Sequence, residues 1–241
     1  MKIVLSPSKT KTLSGTPTGA HHFNHITESI VAHVQTLNAA ALAKILKIKD
    51  DKAQVLYELY QQFNSLPVGA AGESYDGIAF KYLDWSTLDD ATKAYGESHL
   101  VVMSALYGAV EPHMEICEYR LDVVDKIGIP LYEVWHEAMH EYFHNENWVL
   151  NLASKEYAKM IAHPVVVTVE FWEQRGNVYK QMSTSSKISR GMMARYCLEH
   201  RIDSVSALPR ELNGFYLVTD VMGIDVPLES MTIRYEKTAE N

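Results

Sequence analysis

The sequence predicts a single α+β domain with a mixed sheet, and three observations carry that expectation. Short apolar runs fit for buried strands stand beside longer stretches of helical period. Strands and helices interleave without a steady βαβ rhythm. No low-complexity linker and no internal repeat divides the 241 residues. The domain is therefore expected to span residues 1–241, with a division near residues 97–98 as the alternative.

The elements follow in order. Lys2 to Leu5 reads as a buried strand, and Pro7 forbids its continuation. Leu13 to Asn24 is rich in Thr, Ser, Gly and Pro and reads as loop; its His21-His22, with His25, reads as solvated polar sequence. Three apolar faces between Asn24 and Phe63 predict helices: Ile30, Val34 and Leu37, then Leu42, Ile45 and Leu46, then Val55, Leu56, Leu59 and Tyr60. Asp50 or Asp51 can cap the last. Leu66 to Gly77 reads as loop and Asp84 to Gly96 as helix. His99 to Ala105 is a second buried strand. A helix over Leu131 to His144, a strand at Trp148 to Leu152 and a short helix capped by Ser154 come next. Val165 to Trp172 and Val178 to Met182 flank Arg175-Gly176-Asn177 as a hairpin. Ser185-Ser186 opens a helix to about His200, and Phe215 to Val218 and Met231 to Arg234 are late strands.

Composition narrows the function classes. No run is apolar enough for a membrane span, and the N-terminal apolar run is too short for a secretory signal. Two cysteines, Cys117 and Cys197, make no disulfide framework, so a cytoplasmic location is expected. The formal net charge of −8 repels polyanions in bulk, so any anionic partner needs a local cluster of Lys and Arg. Neither G-x-G-x-x-G nor a Walker A lysine motif is present, and no cofactor is predicted.

His136-Glu137-Ala138-Met139-His140 matches H-E-x-x-H, and His144 adds a third imidazole to the same helix face. Glu141 puts a charge directly after the second histidine, and no third ligand follows at metzincin spacing. A polar stripe without a metal is the expectation. More informative is the trio Lys187, Arg190 and Arg195, set among serines at the start of one helix, where free N–H groups favour anions. Ser6-Pro7-Ser8-Lys9-Thr10, directly after a strand, offers a second anion contact. Ser104-Ala105-Leu106-Tyr107-Gly108, Pro112 and Tyr119-Arg120-Leu121-Asp122 offer a third, with Arg120 suited to bidentate capture of phosphate or carboxylate.

Together these segments resemble the YaaA family of bacterial peroxide-stress resistance proteins. Ser6-Pro7-Ser8-Lys9-Thr10 is similar to its S-P-[AS]-K-T opening, and Ser104 to Asp122 to its S-x-L-Y-G-x-x-x-P…Y-R-L-[DE] block. Leu131-Tyr132 with Trp135, Asn151-Leu152-Ala153-Ser154 with Glu156-Tyr157, Lys187, Arg190-Gly191, Met193 and Arg195, and Gly214-Phe215-Tyr216 resemble further motifs of that family in order. Tyr82 stands where the family often has a glycine. The resemblance implies a cytoplasmic protein that limits hydrogen-peroxide damage by lowering available iron. It implies a mixed α/β fold with a positively charged cleft, a helix-hairpin-helix-like element, and binding of double-stranded or branched DNA. That element would be Ala41 to Phe63, with Lys44, Lys47, Lys49 and Lys52 as phosphate contacts. The charge of −8 and the lack of glycine in Ile48-Lys49-Asp50-Asp51 weigh against it.

Two functions follow. One is a stress-response protein whose cleft holds DNA. The other is an enzyme on a small anionic or nucleotide-like substrate, bound by Ser6, Lys9, Thr10, Tyr107, Arg120, Asn151, Ser154, Lys187, Arg190 and Arg195. In the second, Lys9, Lys187 or Tyr107 is the catalytic candidate, a desolvated lysine beside an arginine serving as base or nucleophile.

Overall fold

The apolar run Ile3-Val4-Leu5 suits Lys2–Leu5 to an inner strand of the sheet, where both faces are covered, while Lys2 pairs with Glu111 at 3.0 Å. The computed structural model describes residues 1–13 and 24–238, so His21-His22 lies outside the described residues. Its strands in chain order are β1 (Lys2–Leu5), β2 (Val68–Ala70), β3 (Leu100–Ser104), β4 (Gly108–Val110), β5 (Glu115–Cys117), β6 (Val149–Asn151), β7 (Val166–Arg175), β8 (Val178–Lys180), β9 (Glu211–Leu212), β10 (Phe215–Leu217) and β11 (Met231–Lys237). The helices are α1 (His25–Gln35), α2 (Ala39–Leu46), α3 (Asp50–Gln61), α4 (Ala71–Ser74), α5 (Ile78–Leu83), α6 (Asp90–His99), α7 (Leu131–Phe143), α8 (Lys155–Ala158) and α9 (Ser183–Glu199).

The main sheet runs β4-β3-β1-β6-β7-β11-β10-β9, with β8 hairpinned onto β7. Its five central strands, β3 to β11 in that order, are parallel, and antiparallel pairs close both ends. The fold is thus α+β with a mixed sheet, as the sequence predicts. No division falls near residues 97–98, because α6 runs through them and β3 pairs directly with β1.

Local chemistry sets the helix starts. Asn24 Oδ1 accepts from the Thr27 N–H, Asn38 Oδ1 from that of Ala41, and Asp89 Oδ1 from that of Thr92, each at 2.7–2.9 Å. Asp50 and Asp51 do not cap α3. They lie in its first turn behind Lys49, where they complement the macrodipole. Val55 leaves the predicted apolar face and is 65% exposed, while Leu56 and Tyr60 are buried. The stretch read as loop from Leu66 to Gly77 instead holds β2 and α4, because β2 pairs with the distant β5. The helix expected over Asp84 to Gly96 starts later, at Asp90, and α5 precedes it. Among the described residues no single helix is long and apolar enough to cross a membrane.

The topology marks one crevice. From β1 the chain crosses to β3 on one side, then returns to lay β6 on β1's other side. In open parallel sheets such a switch point opens a crevice at the carboxyl ends of the two strands. Those ends are Ser6, after β1, and Leu152 to Ser154, after β6.

Candidate functional site

A cleft of about 600 Å³ occupies that crevice. The Ser6–Lys11 loop forms one wall, Gly77–Phe80 at the head of α5 a second, Tyr119–Asp122 and Asp125 a third, and α8 with α9 close it. Ser6 Oγ accepts the Ser154 N–H at 2.8 Å and so ties the two strand ends together. Ser183, Lys187 and Arg190 reach the cleft from α9 at i, i+4 and i+7, one helical face.

Seven residues singled out by sequence line the cleft together: Ser6, Lys9, Thr10, Arg120, Ser154, Lys187 and Arg190. Three others sit elsewhere. Tyr107 is buried, and its hydroxyl accepts the Cys117 N–H at 3.0 Å. Asn151 is buried as well; Oδ1 accepts from the Ala153 N–H and Nδ2 donates to Thr168 Oγ1. Arg195 lies about 140° around α9 from Arg190. Its guanidinium donates to the carbonyls of Leu83 and Asp84 at 3.1 and 3.0 Å and pairs with Glu199 at 2.8 Å, which clamps the end of α5. Lys44, Lys47, Lys49 and Lys52 are exposed on the α2–α3 hairpin and do not line the cleft, although their neighbour Leu46 does.

The cleft is electrostatically uneven. Lys9, Arg120, Lys187 and Arg190 line it without an ion pair to any described residue. Arg190 Nε is buried and has no hydrogen-bond partner, and burial lowers the guanidinium's pKa. The carboxylates Asp122, Asp125 and Glu156 also face the cleft. Asp125 Oδ2 accepts the Asp122 N–H at 2.7 Å, and the neighbouring Ser154 helps hold the Glu156 carboxyl below its ordinary value. Burial raises the Asp125 pKa, while Lys9 and Arg120 act in the opposite sense.

The desolvation expected of Lys9 or Lys187 falls on Lys11 instead. Both of those lysines are exposed, whereas the Lys11 side chain is 1% exposed beneath the Tyr119 ring, with Nζ 3.8 Å from its centroid. Lys11 Nζ donates to the Tyr119 carbonyl at 2.9 Å and to that of Ser8 at 3.4 Å, and Glu118 lies 3.9 Å away. Burial pushes the ammonium down to about 8; Glu118 opposes that shift and Arg120 adds to it. Below Lys11 a buried hydroxyl chain links Ser104 Oγ to Tyr119 at 2.8 Å and Tyr119 to Tyr75 at 3.0 Å.

Lys11 titration predicts a pH signature. The folded value is about 8 and the ordinary value 10.5. Between them the unfolded chain keeps this proton and the folded chain does not. The stabilisation is therefore complete above 10.5 and is lost as pH falls through about 8. Raising the pH from about 8 to about 9.5 should stabilise the wild type relative to Lys11→Met, by at most about 1.4 kcal/mol per pH unit. Denaturant unfolding across that range checks it, and parallel curves for the two proteins would contradict it.

Neither cysteine offers peroxide chemistry. Cys117 and Cys197 are buried, and burial pushes the thiols up to about 11 and about 12. The thiolate is the reactive form. The native protein should resist iodoacetamide at neutral pH and label at both positions once unfolded, as read by intact mass. His136, His140 and His144 are exposed on α7 and its end, and His144 Nδ1 is 2.7 Å from the Glu141 carbonyl. Among the described residues no group of three His, Cys, Asp or Glu is placed to hold a metal ion.

Fold and cleft define a class first: a mixed-sheet α+β protein with a crevice of mixed charged and apolar lining at a switch point between parallel strands. The chain belongs to the family described as peroxide stress protein YaaA, whose model matches residues 1–219. A Finegoldia magna relative named UPF0246 protein is 34% identical over 219 residues, covering 87% of this chain and 89% of its own. Relatives of the same name from Francisella philomiragia (30% over 233 residues, 87% and 91% covered) and Lachnoclostridium phytofermentans (29% over 224 residues, 87% and 88%) are similar along the same extent.

Proposed function

We propose that this chain is a cytoplasmic peroxide-stress resistance protein that limits hydrogen-peroxide damage by lowering available iron, and that it acts through a small anionic ligand held in the cleft. The family description supports the stress role. One observation carries the ligand: Lys9, Arg120, Lys187 and Arg190 line one cleft without an ion pair to any described residue, while Asp125, a carboxylate on which Lys9 and Arg120 act, already accepts the Asp122 N–H. An anion bound in the cleft supplies these cations with the counter-charge that no described residue gives them within 4.0 Å. The volume of about 600 Å³ lies within the range of small-molecule sites.

Duplex or branched DNA is the second reading, favoured by the exposed Lys44, Lys47, Lys49 and Lys52 on the α2–α3 hairpin at the cleft's edge. Asp50 and Asp51 occupy the first turn of α3, where they repel a phosphate approaching that helix end. The two readings separate on a Lys44→Ala/Lys47→Ala variant and a salt titration. Under the small-ligand reading the variant protects cells from peroxide as well as wild type does, and duplex binding is weak at physiological salt. Joint loss of peroxide protection and of a steeply salt-dependent duplex affinity would favour DNA.

A further inference from the structure

Three features of the cleft go beyond its charge. The first is the start of α9. Its N-cap residue Met182 provides no side-chain hydrogen bond, so the first N–H groups of a 17-residue helix lack a side-chain acceptor. Ser183 at that end lines the cleft, and Lys187 and Arg190 continue the same helical face inward. The buried Arg190 Nε without a partner is an independent sign that an acceptor belongs there. Helix N–H groups, a hydroxyl, an ammonium and a guanidinium in one line suit a phosphate group.

The second feature is the apolar part of the lining. Leu46 from α2, Ile78 and Phe80 from α5, and Leu121 bring apolar surface to the same cleft. Ile78 is 38% exposed, although it stands at the head of a helix that is otherwise packed on α9. Inorganic phosphate has nothing to offer such a wall, whereas a flat ring does. The third feature is the placing of Asp122, Asp125 and Glu156 along the cleft. A carboxylate has about four lone-pair directions. Asp125 accepts one donor from the chain, and all three keep capacity for hydroxyl or amino donors on a ligand.

We propose that the ligand is a nucleoside phosphate. Its phosphate lies along Ser183, Lys187 and Arg190, its ring against Leu46, Ile78 and Leu121, and its sugar or amino donors on the acidic side. This rests on the small-anion reading above and narrows it. The crevice at the switch point is where parallel sheets place such ligands even without a glycine-rich loop. A free nucleotide and the phosphorylated end of a strand share this chemistry.

Calorimetric titration of the full chain tests it. The probes are the four ribonucleoside 5′-monophosphates, adenosine, ribose 5-phosphate, inorganic pyrophosphate, and a short single strand with or without a 5′-phosphate. At least one monophosphate should bind roughly tenfold or more tighter than both ribose 5-phosphate and adenosine. Ile78→Ser, which removes the apolar surface without adding charge, should weaken that monophosphate several-fold and leave pyrophosphate unchanged. Preference for the phosphorylated over the unphosphorylated strand at equal or greater affinity would identify the strand end as the source; indifference to it would identify the free nucleotide. If pyrophosphate or ribose 5-phosphate binds as tightly as every monophosphate, the nucleoside assignment is wrong and the small-anion reading stands. If none of the anionic probes binds, and Lys187→Ala/Arg190→Ala also leaves peroxide protection intact, both are wrong.

Discussion

Gly191→Ala should be clearly destabilising, even though alanine is the better helix former. Gly191 sits where α9 crosses α5, and a methyl group built on it would overlap the Ala79 carbonyl oxygen and lie 2.9 Å from the carbonyl carbon. Both partners are backbone, so neither can rotate away. Alanine gains about 1 kcal/mol of helix propensity over glycine. Overpacking typically costs about 1–3 kcal/mol, and a clash with rigid backbone belongs at the upper end or beyond it. The clash wins, with a net loss of roughly 2 kcal/mol and a Tm lower by about 4–8 °C for a chain of this size. The consequence reaches the cleft, since α5 supplies one wall and α9 carries Lys187 and Arg190. Calorimetric melting of the variant checks the stability, and an unchanged Tm would mean that the two helices do not meet as described.

Lys187→Ala/Arg190→Ala should produce the largest functional loss with little structural damage. Lys187 is exposed, and removing an exposed side chain typically changes stability by no more than about 0.5 kcal/mol. Arg190 is half-buried with an unpartnered Nε, so its loss removes packing of the stem but no ion pair among the described residues. Hydrogen bonds to charged groups contribute about 1.5–3 kcal/mol each, so losing two should weaken the anionic ligand roughly a hundredfold or more. Cells carrying the double variant should then survive hydrogen peroxide no better than cells without the protein. Full protection by a variant that melts like the wild type would place the function outside the cleft.

Sequence reasoning found what is locally encoded. β1 and β3 declare themselves because strands buried on both faces carry continuous apolar runs, Ile3 to Leu5 and Leu100 to Met103. The β7–β8 hairpin and α1, α7 and α9 follow from alternation and helical period, with the Asn24 cap marking the start of α1 alone. β2 and α5 were not legible, because a three-residue strand and a six-residue helix draw their stability from partners far along the chain. The parallel pairing of β11 with β7 was hidden for the same reason. In the motifs, spacing could not separate contact from scaffold. Gly108 has φ +75° and its missing side chain leaves room for Trp135, whose Nε1 donates to the Ala105 carbonyl at 2.9 Å. That explains Leu106-Tyr107-Gly108 and Trp135 as support under the sheet's end. Arg195 belongs to the same motif as Lys187 and Arg190 yet faces α5, a difference set by the helical angle. Lys11 was missed because burial of a lysine two residues from an exposed one depends on where the loop meets Tyr119.

The central claim is that the cleft holds a small anionic ligand, and the most direct measurement is of what the protein carries out of the cell. Wild-type protein and the Lys187→Ala/Arg190→Ala variant would be purified in parallel at low salt, denatured, and the released small molecules compared by mass spectrometry. An organic anion enriched with the wild type and depleted from the variant is the predicted result. Equal small-molecule profiles from the two proteins, with nucleic acid fragments enriched on the wild type alone, would contradict it.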